Sequence, residues 1–312
     1  MKKPLVSVCC ITYNHQDYIE ECINGFLKQE SDFDVEFLIH DDASTDNTQS
    51  IIKSLVGEES RFKLILREKN IKSTGKAIFP ILFEEAQGKY IAMCEGDDYW
   101  TDPLKLQKQV DFLEANAEFV VCCHNAKIID ENSDVIQEKK IPSLNVDKVY
   151  TQDDLKLGGF LLTLSLVFRN LNIFKNFPLP KQKILNGDTY LISLLGKHGK
   201  GYYMENIKPA VYRVHSGGIW SLKKNNTIFT TKSRITLYTG LKELHNEDSV
   251  LKGYFDKRIT DCFNILVRNL KNLSLKEVIW VNKEYSRRHN FFKNKYRFKV
   301  LIKENLKYIL RL

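Results

Sequence analysis

Three carboxylates, Glu95, Asp97 and Asp98, fall within four residues of Met-Cys-Glu-Gly-Asp-Asp-Tyr-Trp-Thr-Asp-Pro, residues 93–103. They follow an apolar run, Lys-Tyr-Ile-Ala-Met-Cys, that reads as a buried strand. Adjacent carboxylates repel one another and are tolerated at a strand end when a cation sits between them. A hard divalent ion with oxygen ligands fits, and phosphate is its usual companion. A second acidic cluster, His40-Asp-Asp-Ala-Ser-Thr-Asp46, follows the earlier apolar run 35–39. Two acidic strand ends within the first hundred residues imply a nucleoside-diphosphate site at the carboxyl edge of a sheet. Acceptor-only carboxylates at Asp41 and Asp42 suit the N3–H of a uracil and a ribose hydroxyl. Capping of the following helix by Asp42, Ser44 and Asp46 is the plainer use of the same residues, and the two are compatible. After the first strand, Tyr13 is able to stack on a base and Asn14 to hydrogen-bond it.

Elements that would hold these residues are legible in the periodicity. Residues 5–12, 35–39, 62–67 and 90–94 read as buried strands. Residues 17–29, 48–55 and 75–86 read as the helices between them, and a further helix starts at Asp102-Pro103 and runs to about Asn116. Regular strand–helix alternation predicts an α/β fold, a Rossmann-like, mostly parallel sheet flanked by helices. Residues 119–126 and 127–136 read as further strands, 142–153 as a polar loop and 161–169 as a strand. Residues 154–157 and 186–198 read as helices, 201–212 as extended chain, and everything from about Thr227 as helical. This divides the chain into a domain over residues 1–225 and a basic amphipathic helical extension over 226–312.

The chain has 312 residues and a net charge of +8. From Leu251 onward there are sixteen Lys/Arg against five Asp/Glu, so the extension carries +11 and the first 250 residues −3. The front domain is therefore no nucleic-acid surface, and no nucleic-acid module appears in the tail. The seven cysteines make no C-x-x-C pair, are odd in number and lie mostly in apolar runs, so buried free thiols in a reducing cytoplasm are expected. No stretch of eighteen apolar residues exists for a transmembrane helix. Neither the dinucleotide fingerprint G-x-G-x-x-G after the first strand nor a P-loop is present, which argues against nicotinamide, flavin and P-loop chemistry.

Val6-Ser-Val-Cys-Cys-Ile-Thr-Tyr-Asn followed by Asp-Asp-Ala-Ser-Thr-Asp resembles the opening of family 2 glycosyltransferases. Ala86-Gln-Gly-Lys-Tyr-Ile-Ala-Met-Cys-Glu-Gly-Asp-Asp is similar to that family's A-x-G-x-Y-I and D-x-D segments. The resemblance spans residues 4–220 and implies the glycosyltransferase A-type fold. It implies that Thr12, Tyr13, Asn14, Asp41 and Asp42 hold the nucleoside, with Glu95 and Gly96 beside the ribose. Asp97 becomes a ligand of Mn2+ or Mg2+. Glu95 replaces the usual aspartate and reaches further. An Ala-Arg-Asn triplet common in the family is Ile78-Phe79-Pro80 here, so Lys76 is the expected substitute cation.

Asn186-Gly-Asp-Thr-Tyr-Leu resembles the family's E-D-x-x-L motif, with Gly187 in place of the glutamate. The resemblance makes Asp188 the general base of an inverting transfer; capping of its own helix is the alternative use. Tyr212-Arg-Val-His-Ser-Gly-Gly-Ile-Trp follows, and it implies His215 as a second metal ligand. Asp98, Trp100, Arg213 and Trp220 are the candidate diphosphate or acceptor contacts. Residues 158–168, with Thr163 and Ser165, fall where relatives shape the acceptor pocket; a plain buried strand is the alternative.

The resemblance implies a uridine-diphosphate sugar as donor and a bacterial surface glycan or lipid-linked glycan as acceptor. The Q-x-x-R-W motif and membrane helices of processive synthases are absent, so one sugar is added per encounter. Two readings fit the basic tail. One is peripheral docking on the anionic inner face of the cytoplasmic membrane; the other is packing on the catalytic domain with a solvated basic side. A catalytically inactive nucleotide- or glycan-binding module is the main rival. A sugar-phosphate nucleotidyltransferase is the other, disfavoured because residues 12–17 hold neither glycine nor lysine.

Overall fold

The computed structural model describes residues 3–75, 77–142, 147–159, 161–181, 183–218, 225–288 and 295–309. These fall into two compact units, one of residues 1–179 and 187–218, the other of residues 180–186 and 219–312.

The first unit opens with four strand–helix repeats. They are β1 (Val6–Thr12), α1 (Ile19–Leu27), β2 (Val35–Asp41), α2 (Thr48–Val56), β3 (Phe62–Leu66), α3 (Phe79–Glu85), β4 (Tyr90–Glu95) and α4 (Lys105–Ala115). The remaining elements are β5 (Phe119–Cys123), β6 (Ala126–Ile129), β7 (Val135–Gln137), β8 (Lys148–Tyr150), α5 (Gln152–Lys156), β9 (Val167–Arg169), α6 (Gly187–Leu195), β10 (Lys200–Tyr203) and β11 (Ala210–Arg213). Eight strands form one sheet in the order β3-β2-β1-β4-β9-β5-β10-β8, and β11-β6-β7 form a small second sheet. The left half of the large sheet is parallel; β9 runs antiparallel to both β4 and β5, and β8 antiparallel to β10. The mostly parallel α/β architecture expected from strand–helix alternation is what the chain adopts.

Continuous burial explains the strands. Val6, Val8, Cys9, Cys10, Leu38, Ile39 and residues 90–94 are fully or nearly fully enclosed, as a sheet covered on both faces requires. Helix α1 buries Ile19, Cys22, Ile23 and Phe26 along one stripe. Its Phe26 meets Phe37 face to face and Trp100 edge-on. All seven cysteines are buried free thiols.

The chain runs β1, β2, β3 outward on one side of β1 and then returns to place β4 on the other side. That reversal opens a crevice beyond the carboxyl ends of β1 and β4. In register, Ile11 faces Glu95 and Thr12 faces Asp41, so both acidic motifs reach one edge.

Several boundaries differ from the sequence expectation. The third helix begins at Phe79 rather than Gly75, after a separate 3-10 turn at Lys72–Thr74 closed by Gly75 in the left-handed region. The expected strand 127–136 is a hairpin: Asp130 Oδ1 accepts from the N–H groups of Asn132 and Asp134, and Ser133 takes φ +70°. Within the expected loop 142–153 lies β8, whose three residues are too few to show a period. Only Val167–Arg169 of the expected strand 161–169 pairs as a strand, because Ser165 turns back on the Leu162 carbonyl through both its N–H and its hydroxyl.

In the second unit, α7 (Thr227–Leu244), α8 (Ser249–Arg268), α9 (Leu275–Arg288) and α10 (Lys295–Ile309) pack around Phe263, Leu266, Leu270, Val281 and Tyr285. Asp248 caps α8 and Asn226 caps α7. Among the described residues, no helix is long and apolar enough to cross a membrane.

Candidate active site

Gly96 sets the closeness of β1 and β4 at the crevice. Its N–H donates to the Ile11 carbonyl at 2.9 Å, and a Cβ there would stand 2.7 Å from Thr12 Cβ and Oγ1. Only glycine fits. Thr12 is 1% exposed and, among the described residues, its hydroxyl has no hydrogen-bond partner.

The loop after β1 is stapled to the loop after β2. Asn14 takes φ +54°, donates its N–H to Ser44 Oγ at 2.8 Å and accepts from Thr45 N–H at 2.8 Å. The His15 N–H donates to Thr48 Oγ1, and the Gln16 N–H to Asp46 Oδ2. Tyr13 is exposed. Asp41 and Asp42 are buried and engaged: Asp41 accepts from Ser44 and from Gln49 Nε2, Asp42 from the N–H groups of Ile71 and Lys72. Each carboxylate therefore orders a loop. Lys76 and Trp220 lie outside the described residues.

Two histidine side chains converge on Asp97. His215 Nε2 stands 3.0 Å from Asp97 Oδ2, and His15 Nε2 stands 3.8 Å from the same oxygen. The three ligand atoms all lie within 4.8 Å of one another. Tyr18 supports the cluster, its ring edge-on to His215 at 4.9 Å. Burial pushes the Asp97 carboxyl up, but the His215 hydrogen bond and the two imidazoles outweigh it, leaving Asp97 below the usual carboxylate range. Burial lowers His15, with Asp97 opposing, so a neutral imidazole able to ligate is favoured. An oxygen and two imidazole nitrogens gathered this way fit a divalent cation. Among the described residues the buried His15 Nδ1 has no hydrogen-bond partner, and the same is true of His40 Nδ1 and His124 Nε2.

The remaining carboxylates are under strain of the same sign. Burial, then Asp97 and Asp188, push Glu95 up to about 8. Burial, then Asp97 and Glu95, push Asp98 well above its usual range. Asp188, half-buried in the first turn of α6, is raised by burial. Lys140 and Tyr212 each feel the charges of Asp98, Glu95, Asp188 and Asp97, so the four acids share one electrostatic neighbourhood. Lys140 sits over the Tyr212 ring, and burial lowers its ammonium to about 8.

Three of the expected contacts are buried and bonded within the protein. Trp100 is 3% exposed; it donates from Nε1 to the Leu164 carbonyl at 2.7 Å and belongs to the core beside Phe26. Arg213 is 3% exposed and spends its guanidinium on Glu21, the Asp97 carbonyl, the Asp130 carbonyl and Ser133 Oγ. Asp98 is buried and accepts the Arg213 N–H at 2.9 Å. All three tie together the segments that surround the acidic motif. Thr163 and Ser165 sit in the turn before β9, and Ser165 is fully buried. Sequence reasoning missed His15, Tyr18, Lys140 and Tyr212. Only the adjacency of His15 to Tyr13-Asn14 hinted at the first, and nothing in the Lys139-Lys140 pair marked the third.

Residues 7–173, slightly more than half of the chain, match the model of the family described as Glycosyl transferase family 2. An uncharacterized protein of Mycobacterium tuberculosis (strain ATCC 25618 / H37Rv) is 38% identical over 218 residues, covering 69% of this chain. The match spans 60% of that relative's own length. A Bacillus subtilis (strain 168) protein named as a teichuronic acid biosynthesis glycosyltransferase, TuaG, is 38% identical over 112 residues, 36% of this chain and 42% of its own. Among solved structures, S. aureus TarS 1–349 in complex with UDP-GlcNAc superposes with a TM-score of 0.59 at 16% identity, over 98% of this chain and 81% of that one. The mannosyltransferase PcManGT from Pyrobaculum calidifontis, in complex with GDP-Man and Mn2+, gives 0.54 at 14% identity, over 99% and 88%. At such identities the likeness is one of fold.

Proposed function

The chain belongs to glycosyl transferase family 2, and from that premise we propose that it moves a sugar from a nucleoside-diphosphate donor to a hydroxyl group with inversion at the anomeric carbon. The observation that carries the reading is the convergence of Asp97, His15 and His215 just after β4, beside a Glu95 that pairs with Ile11 across β1 and feels the charges of Asp97 and Asp188. A uridine-diphosphate sugar is the favoured donor, supported by the UDP-GlcNAc bound to TarS. The TuaG likeness supports a bacterial surface glycan as acceptor, free or lipid-linked.

In this reading Tyr13 and Asn14 border the base, Asp41 and Asp42 the uracil edge and ribose, and Glu95 and Gly96 the sugar side of the nucleoside. Lys76 is a candidate nucleotide contact. Asp97 and His215 hold Mn2+ or Mg2+, which offsets charge on the departing diphosphate when bound. Asp188 accepts the proton of the acceptor hydroxyl as its oxygen bonds to the anomeric carbon; the bond from that carbon to the diphosphate oxygen breaks, and its electron pair leaves with the nucleoside diphosphate. A raised Asp188 carboxyl suits this task, since a base works best with a pKa nearer the operating pH. Trp220 is a candidate platform for the acceptor sugar. One sugar is added per encounter.

Residues 1–225 form the catalytic part in this reading and residues 226–312 an extension. The extension docks peripherally on anionic lipid at the inner face of the cytoplasmic membrane, so that chain and lipid-linked acceptor share a surface. Leu275, Ile279, Ile302, Leu306 and Ile309 are exposed among its basic residues, which supports that placement.

Hydrolysis of a panel of UDP- and GDP-sugars, with Mn2+ and with EDTA, tests the reading. Metal-dependent release of nucleoside diphosphate from a UDP-sugar is expected. Tight nucleotide binding with no turnover on any acceptor would instead make the chain a nucleotide-binding module.

A further inference from the structure

We propose that His15 is a third protein ligand of the dication, making the site a two-histidine, one-carboxylate cluster that prefers Mn2+ to Mg2+. The proposal rests on the reading that Asp97 and His215 hold the ion, and adds to it a residue from the loop that borders the nucleoside.

The geometry of His15 is the argument. Its Nε2 points at Asp97 Oδ2 from 3.8 Å, beyond hydrogen-bond range. Its ring meets the His215 ring at 5.8 Å and 84°, so the two imidazoles are crossed rather than stacked. Two ligands each about 2.1 Å from a shared ion stand roughly 3–4 Å apart, depending on the angle between them. The separations of 3.0 Å and 3.8 Å from Asp97 Oδ2 fall in that span. All three ligand atoms lie within 4.8 Å, so small side-chain rotations close them on one centre. The backbone beneath His15 is fixed, because its N–H donates to Thr48 Oγ1 at 2.8 Å and its neighbours Asn14 and Gln16 are tied to Ser44 and Asp46.

Ligand chemistry then sets the metal. Mg2+ demands oxygen ligands in near-ideal octahedral array and gives up water reluctantly. Imidazole suits first-row transition ions. Two imidazoles for one carboxylate tilt the site toward Mn2+, and they leave further coordination positions for diphosphate oxygens.

The test uses the full chain with Mn2+ alone and no nucleotide. Electron spin echo spectra of the bound Mn2+ are expected to carry modulation from two histidine nitrogens. In His15→Ala the modulation should fall to one nitrogen, Mn2+ affinity should drop about 10-fold or more, and the ratio of Mn2+ to Mg2+ affinity should fall. His15→Gln serves as a second variant, and the spectrum of the unsubstituted chain reads the ligand count without any variant. A one-nitrogen spectrum in the unsubstituted chain, or unchanged Mn2+ affinity in both variants, overturns the assignment of His15 alone. Absence of Mn2+ binding by the unsubstituted chain overturns the metal reading together with it.

Discussion

The backbone N–H of Arg213 donates to Asp98 Oδ1 at 2.9 Å, joining the end of β11 to the loop that leaves β4. From the same residue, the guanidinium reaches Glu21 on α1, the Asp97 carbonyl, and Ser133 in the β6–β7 turn at 3.1 Å, and it lies 4.6 Å from the Tyr18 ring centre. One arginine thus ties four segments around the acidic motif.

Arg213→Lys should loosen this joint rather than remove a ligand contact. A lysine cannot reproduce a planar fork with several fixed donors. The expected cost is about 2–3 kcal/mol, because buried acceptors lose their partner. UDP affinity below the unfolding transition should stay within about threefold, well under 1.4 kcal/mol. Urea unfolding and calorimetric titration check both. Unchanged stability with a large loss of UDP affinity would return Arg213 to the diphosphate.

Asp188→Asn keeps shape and removes the base. Donor affinity should hold, and turnover should fall at least ~10²-fold. Near-normal turnover would leave Asp188 only as part of the first turn of α6.

Lys105 lies fully buried, its ammonium donating to Gln109 Oε1 at 2.8 Å above the Trp100 ring at 4.1 Å. Burial lowers its pKa from 10.5 to about 7. Between those values the unfolded chain binds a proton that the folded chain does not, so this residue makes stability rise with pH across that window. Below about pH 7 the burial penalty is present in full. Lys105→Met should flatten the rise, seen as the difference between variant and unsubstituted melting temperatures from pH 7 to 10. Parallel curves over that range would contradict the buried ammonium.

Leu275 and Ile279 are exposed one turn apart on α9, with Lys276 and Lys283 nearby in sequence. Replacing both by glutamate should weaken binding to vesicles containing anionic lipid while leaving UDP-sugar hydrolysis intact. Equal vesicle binding by the variant would favour a solvated role for that helix.

The sequence reveals the halves of this site more readily than their joining. β1, β2 and β4 are uninterrupted apolar runs that end in acids, so their order and edge are legible from burial pattern and carboxylate repulsion. Asp97 and His215 meet across 118 residues of chain, and no local pattern encodes such an approach; the family resemblance alone paired them. His15 was hidden because a single histidine in a turn has no period. Trp100 follows the acidic motif by two residues, yet the backbone turns there and sends the indole into the core, where Leu164 supplies its acceptor. Lys140 reads as part of a polar stretch until β6 and β11 bring it over Tyr212.

The most direct test measures UDP binding, with and without Mn2+, to the unsubstituted chain, Asp97→Ala and Asp188→Asn. Mn2+ should tighten UDP binding to the unsubstituted chain and to Asp188→Asn but have no effect on Asp97→Ala. An equal Mn2+ enhancement in Asp97→Ala would contradict the account.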